Sequence, residues 1–247
     1  MPSEQYWEGR LLENNQLLHE QLIKHLSFDS IAVDGSTGTK GDTIGIQGGQ
    51  RIPISIKNAS GANTQCHLTT LRQLAQGLAM PEDLYPTFDR WLGTNDAPKF
   101  AQWTQGLTVS RYEQSHGRLC SGNLPDWDQC EAWVNQVNKS LALPKLLLQQ
   151  LKEENPAQWL VWVRKKKGGF QIVDVNKLVS WIGTSCEWIT MPAGTVLRCI
   201  TPTGKPILWW QMKGNREPNG YNHTAQFHLV ENWPQEFVVY EDRDIRF

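Results

Sequence analysis

The chain has 247 residues and a formal net charge of −1. That length can bury a substantial core, as one large domain or two small ones. The near-neutral charge excludes a general attraction to nucleic acid, so any such contact must come from a local basic surface. The five cysteines (66, 120, 130, 186 and 199) include no Cys-x-x-Cys pair, which argues against a zinc site or a disulfide framework and for reduced thiols in a cytosol. No apolar run approaches the ~18–20 residues of a membrane span. There is no basic-then-apolar N-terminal signal and no Gly-x4-Gly-Lys-Ser/Thr loop, and the six histidines form no metal-binding spacing. A soluble cytoplasmic protein with no membrane partner is expected.

In chain order, residues 6–26 predict a helix, with Leu11, Leu18, Leu22 and Leu26 forming one apolar stripe. Segments 28–34 and 42–57 predict short strands. Leucine spacing predicts a helix over 68–80, ended by Met80-Pro81. Residues 81–130 read as irregular because prolines and glycines break them up, and 128–152 as two helical pieces. Trp159–Val163 and Phe170–Val173 predict a hairpin around Arg164-Lys165-Lys166-Lys167-Gly168-Gly169. Asp174 is placed to cap a short helix through Ile182. Strands are expected at Thr195–Ile200, Ile207–Met212 and Thr224–Val230. The twelve tryptophans are expected mainly in the core. The expected organisation is a single α/β domain over 1–247, with a helical subregion at 68–152.

Two runs carry the chemistry. Lys40-Gly41-Asp42-Thr43-Ile44-Gly45-Ile46 is followed, beyond a Gly/Gln/Arg turn, by Ile54-Ser55-Ile56-Lys57. As antiparallel strands they bring Asp42 and Lys57 to one end of a sheet. A carboxylate there can bind a divalent cation, and a lysine can orient or deprotonate the attacking water in phosphodiester hydrolysis. The competing explanation is an exposed cross-strand ion pair. Three neighbours favour the chemical reading: the glycine-rich segment 33–39, the amide- and hydroxyl-rich segment 58–65, and an acid-bearing helix upstream. It requires the acid and the amine to share one sheet face and to reach solvent. Two residues before the lysine stands Ser55, a neutral hydroxyl where metal nucleases often carry a second acid.

This arrangement resembles the PD-(D/E)xK nuclease superfamily and, more narrowly, type II restriction endonucleases of the MspI and HinP kind. Lys40-Gly41-Asp42, Ser55-Ile56-Lys57 and Gly9-Arg10-Leu11-Leu12-Glu13 match those enzymes' motifs in order. So do Gln211-Met212-Lys213-Gly214 and the following Gln226-Phe227. The resemblance spans roughly 6–70 and 157–230. It implies a mixed central β-sheet flanked by helices, double-stranded DNA as substrate and Mg²⁺ as cofactor. Asp42 becomes the metal ligand together with the Ile56 carbonyl, Lys57 the water-activating residue, and Glu13 a supporting acid. A bacterial or archaeal cytoplasm, a cognate DNA methyltransferase, and a monomer or homodimer are also implied.

Candidate DNA contacts follow. Gln211, Lys213, Asn215, Arg216, Asn222 and His223 lie in and around a glycine-containing loop of the kind that reads base edges. Gln211 and Lys213 also mimic the nuclease pair, a rival place for the lysine. Lys40, Asn58, Asn63 and Gln65 flank the first motif. Lys165 and Lys166 belong to the densest basic run of the chain, which suits backbone contacts. A structure-directed repair nuclease and a catalytically inactive DNA-binding protein are the alternatives.

Overall fold

The computed structural model describes residues 15–33, 43–59, 63–70, 81–94, 96–138, 157–164, 166–190, 196–213 and 224–246. The chain divides into two compact units, each assembled from separated segments. The first comprises Met1–Cys66, Pro144–Ile182 and Val230–Phe247; the second comprises His67–Leu143 and Gly183–Leu229.

The first unit begins with helix α1 (Gln16–Leu26), capped by the Asn15 side chain, which accepts from the Leu18 N–H. Its sheet uses β1 (Ser30–Val33), β2 (Thr43–Gln47), β3 (Gln50–Ala59), β5 (Trp159–Arg164), β6 (Phe170–Asp174) and β11 (Val238–Asp242) in the order β1-β2-β3-β5-β6-β11. The β3–β5 pairing is parallel and the other four are antiparallel. This is the expected mixed α/β architecture. Strand alternation sends Ile52, Ile54 and Ile56 to one face, where they join Val161, Val163, Phe170 and Ile172 beneath Leu18, Leu22 and Leu26 of α1. Each such side chain withdrawn from water contributes about 1.5–3 kcal/mol. On the same face His25 stacks on Tyr240 with ring centroids 3.8 Å apart.

Helix α6 (Val175–Ser185) starts where expected, with Asp174 Oδ1 accepting from the Lys177 N–H at 3.1 Å. Its apolar residues Val175, Leu178, Val179 and Ile182 are buried.

The second unit holds α2 (Tyr85–Leu92), α3 (Ala97–Trp103), α4 (Arg111–His116) and α5 (Trp127–Asn138). It also holds β7 (Glu187–Thr190), β8 (Val196–Ile200), β9 (Pro206–Lys213) and most of β10 (Thr224–Val230). With β4 (Asn63–Thr70) these strands form a five-stranded sheet, β4-β10-β9-β8-β7. Two expectations change here. Leu68 to Thr70 belong to strand β4, not to the start of a helix. Residues 81–130, expected to be irregular, carry short helices. Pro86 and Pro98 sit in the first turns of α2 and α3, where the missing N–H has no intrahelical partner to lose. Ser110 and Glu113 form a capping box on α4. The expected helical subregion 68–152 thus lies, through Leu143, in the same unit as this sheet. Among the described residues, no helix is long and apolar enough to cross a membrane.

Candidate active site

Strands β2 and β3 are joined by Gly48 and Gly49, with φ angles of 54° and 79°. Two consecutive positive φ values define the tight hairpin whose twist matches its strands, and glycine adopts them without strain. This turn sets the register: Gln47 faces Gln50, Ile46 faces Arg51, and so on to Thr43 facing Ile54. Asp42, Lys40 and Glu13 lie outside the described residues.

Because the isoleucines of β3 point to the α1 face, Ser55 and Lys57 point to the opposite one. Only a backbone carbonyl of Ile56 is therefore open to the metal-binding role expected of it. Ser55 and Lys57 share a face, as the motif requires, but each is only 6% exposed. Lys57 is thus a buried lysine, an uncommon state for this residue type, and not the solvent-facing amine expected from the sequence. The cause lies in its position. β3 is an inner strand, and Lys57 stands in a row with Trp162 on β5, Gln171 on β6 and Glu241 on β11. Trp162 and Gln171 are themselves buried.

That row is anchored by a polar network which sequence reading missed. Glu231 accepts from Trp162 Nε1 at 2.9 Å and from Arg164 Nε at 2.8 Å, and its Oε1 also pairs with Arg164 Nη2. Glu241 accepts from Arg164 Nη1 at 2.6 Å, Gln171 Nε2 at 3.2 Å and Arg243 Nη2 at 2.9 Å. Trp233 closes the circuit, donating Nε1 to Gln171 Oε1 at 3.2 Å and setting its ring edge-on to Trp162. The Arg243 hydrogen bond, with those of Arg164 and Gln171, outweighs burial and holds the Glu241 carboxyl down at about 2. Arg164 therefore leaves the surface basic run. Lys166 of that run is exposed, and Lys165 lies outside the described residues. No local pattern announces this network, since its Arg164–Glu231 and Arg164–Glu241 bonds join residues 67 and 77 apart.

Asn58 lies on β3, one residue past Lys57. Asn63 and Gln65 lie on β4, and Gln211 and Lys213 on β9, opposite Gln226 and Thr224 of β10. The two strands expected there are present and pair antiparallel. The loop residues Asn215, Arg216, Asn222 and His223 lie outside the described residues. Among the described residues, no three of His, Cys, Asp and Glu stand together as a metal site. The described part of the candidate site offers the Ser55 hydroxyl and the Ile56 carbonyl as oxygen donors. These two neutral oxygens do not by themselves make a Mg²⁺ site, which needs a carboxylate.

No protein-family model matches the chain, and no curated protein matches it in sequence. Among solved structures, the chain is similar to restriction endonuclease MspI in complex with its cognate DNA. The identity is 11%, over 86% of this chain and 77% of that one, with a TM-score of 0.40. It is also similar to HhaI endonuclease in complex with DNA, at 12% identity over 92% of this chain and 93% of that one, with a TM-score of 0.34.

Proposed function

We propose that this chain is a type II restriction endonuclease, hydrolysing phosphodiesters of double-stranded DNA at a short recognition sequence. One observation carries the reading: the hairpin register. Every β2–β3 pair from Gln47–Gln50 to Thr43–Ile54 follows from the two-glycine turn. One further step of that ladder would set Asp42 opposite Ser55, on the face that carries Lys57. Diagonal neighbours of this kind stand ~7–8 Å apart, within reach of a long side chain. Asp42 and the Ile56 carbonyl would hold Mg²⁺, whose charge would neutralise the scissile phosphate. Lys57 would orient the attacking water, and Ser55 would offer a hydroxyl beside it. Glu13 would support the acid, and the 214–223 loop would read bases. A cognate methyltransferase in the same cell belongs to this reading.

Lys57, 6% exposed, does not meet the condition that the amine reach solvent, and with the neutral Ser55 this favours one rival, a DNA-binding protein of the same build that does not cut. Digesting a sequenced plasmid with and without Mg²⁺, then run-off sequencing the products, separates the readings. Discrete bands are expected. A smear would point to a structure-directed or non-specific nuclease, and retardation without cutting to a binder. Asp42→Ala and Lys57→Ala are each expected to lower cleavage by at least ~10²-fold with DNA binding kept. Normal cutting by either variant removes the site assignment.

A further inference from the structure

The β5–β6 turn closes on Gly168 and Gly169, with φ angles of 79° and 78°, and the C-terminal segment docks against it. The Gly169 N–H donates to the Ile245 carbonyl at 2.7 Å, and Arg246 Nη1 donates to the Lys167 carbonyl at 3.1 Å. A Cβ on Gly168 would run into the Arg246 guanidinium, and one on Gly169 into the Asp242 carbonyl. The glycine pair is therefore what lets the tail approach. The docking brings Lys166 and Lys167 of the turn together with Arg243 and Arg246 of the tail, although the Arg246–Lys167 contact spans 79 positions of sequence.

Lys166, Lys167 and Arg246 are exposed, and none of them makes an ion pair among the described residues. The Arg243 side chain is 76% exposed and touches one carboxylate, Glu241, through Nη2. Two further acids stand on the same tail. Asp242 directs its carboxylate to the Asp244 and Ile245 N–H groups, and Asp244 is exposed. The balance is four cations against three local carboxylates, Glu241, Asp242 and Asp244, in a chain whose formal net charge is −1. Like charges gathered in this way repel one another unless an external anion joins them.

Position indicates which anion. β5 runs parallel to β3 with Arg164 beside Ala59, so the turn extends the sheet past the end at which β3 finishes. It begins three residues beyond Trp162, the neighbour of Lys57, which is about 10 Å along the strand. We propose that Lys166, Lys167, Arg243 and Arg246 form a clamp for the sugar–phosphate backbone of duplex DNA, flanking the phosphodiester at Ser55 and Lys57. The inference rests on the nuclease reading for that neighbouring site, and it adds the tail arginines to DNA binding. Lysine supplies point charge, and arginine forks onto phosphate oxygens.

The test is fluorescence anisotropy with a short labelled duplex in EDTA, from about 50 to about 200 mM salt. The wild-type chain is compared with Lys166→Gln/Lys167→Gln and with Arg243→Gln. The lysine side chains make no hydrogen bond among the described residues, so the double variant leaves folding intact. The slope of log K against log salt should flatten by about 0.9 per lost phosphate contact, hence by nearly ~2 in the double variant. Equal slopes in wild type and double variant overturn the clamp, as does wild-type chain that binds no duplex. Cleavage of plasmid by the wild type with Mg²⁺ is read in parallel. A flattened slope with no cutting keeps the clamp and removes the nuclease reading. Cutting with an unchanged slope does the reverse.

Discussion

Arg164 in the first unit and Arg118 in the second are both withdrawn from water, yet they meet opposite surroundings. Burial alone would lower the pKa of Arg164, but hydrogen bonds to Glu231 and Glu241 reverse the sign and hold its proton more tightly. Arg118, 7% exposed, has its pKa lowered by burial, with only partial relief from Tyr112. Its Nε and Nη1 are buried and make no hydrogen bond among the described residues. A buried carboxylate stands five positions earlier, but Glu113 spends its oxygens on the Ser110 and Cys120 N–H groups and on Asn123. Burial of a charge is thus resolved in two ways. The first unit neutralises it with partners drawn from distant segments, Glu231 just past β10 and Glu241 on β11, whereas the second uses its acid as a local cap and leaves the guanidinium to a phenol. The comparison teaches that burial by itself does not identify a stabilising ion. The identity and number of partners decide.

The sharpest break of this contrast is Arg164→Met. It leaves Glu231 and Glu241 facing each other in a poorly solvated site with Arg243 as the remaining cation. The expected loss is about 3–5 kcal/mol of stability, read from urea unfolding. Replacing the three charges together, as Arg164→Met/Glu231→Gln/Glu241→Gln, should recover most of that loss. A single variant as stable as wild type would mean that the pairing contributes nothing.

A smaller effect follows from Glu241 alone. Its folded pKa of about 2 lies below the ordinary glutamate value near ~4.3. A carboxyl depressed by folding stabilises the native state fully above its unfolded pKa, and that contribution fades as pH falls through the folded value. Glu241→Gln should therefore be less stable than wild type by up to about 3 kcal/mol at neutral pH. The gap should close between about pH 5 and about pH 2. Parallel stability curves across that range would show that the Arg243 and Arg164 bonds do not hold the carboxylate.

The same contrast explains what could be read before the fold was known. The β5–β6 hairpin was legible because Trp159–Val163 and Phe170–Val173 are apolar runs around a glycine turn, and Asp174 is a cap with a local mechanism. Lys57 was legible as a lysine on an apolar strand, but its burial was not, because that depends on rows contributed by β5, β6 and β11. Leu68–Thr70 read as the start of a helix because Leu68 opens a leucine spacing, while pairing within the five-stranded sheet wins there. Strands β7 and β11 were missed because Glu187–Thr190 is only four residues long and Val238–Asp242 ends in two acids. Pro86 and Pro98 read as breakers in the sequence, yet in the fold they mark helix starts. Local chemistry was readable in each case, and the outcome changed wherever a distant segment supplied the partner.

Arg118 provides the least disruptive test and the one most specific to the comparison. Arg118→Met keeps an unbranched stem of similar reach in a site where Gly93 approaches the Arg118 Cβ closely. It removes a charge that burial disfavours and two N–H groups that lack acceptors among the described residues, and it costs the Tyr112 interaction, whose phenol is half-buried and can turn to water. Replacing an unpaired buried ion with a well-packed apolar side chain is neutral or stabilising by ~1 kcal/mol or slightly more. The urea midpoint of Arg118→Met should therefore equal or exceed that of wild type, opposite in sign to the change in Arg164→Met. A loss of about 3 kcal/mol or more, the size expected for breaking a buried pair, would show that Arg118 has an anionic partner in solution. The two arginines would then be treated alike.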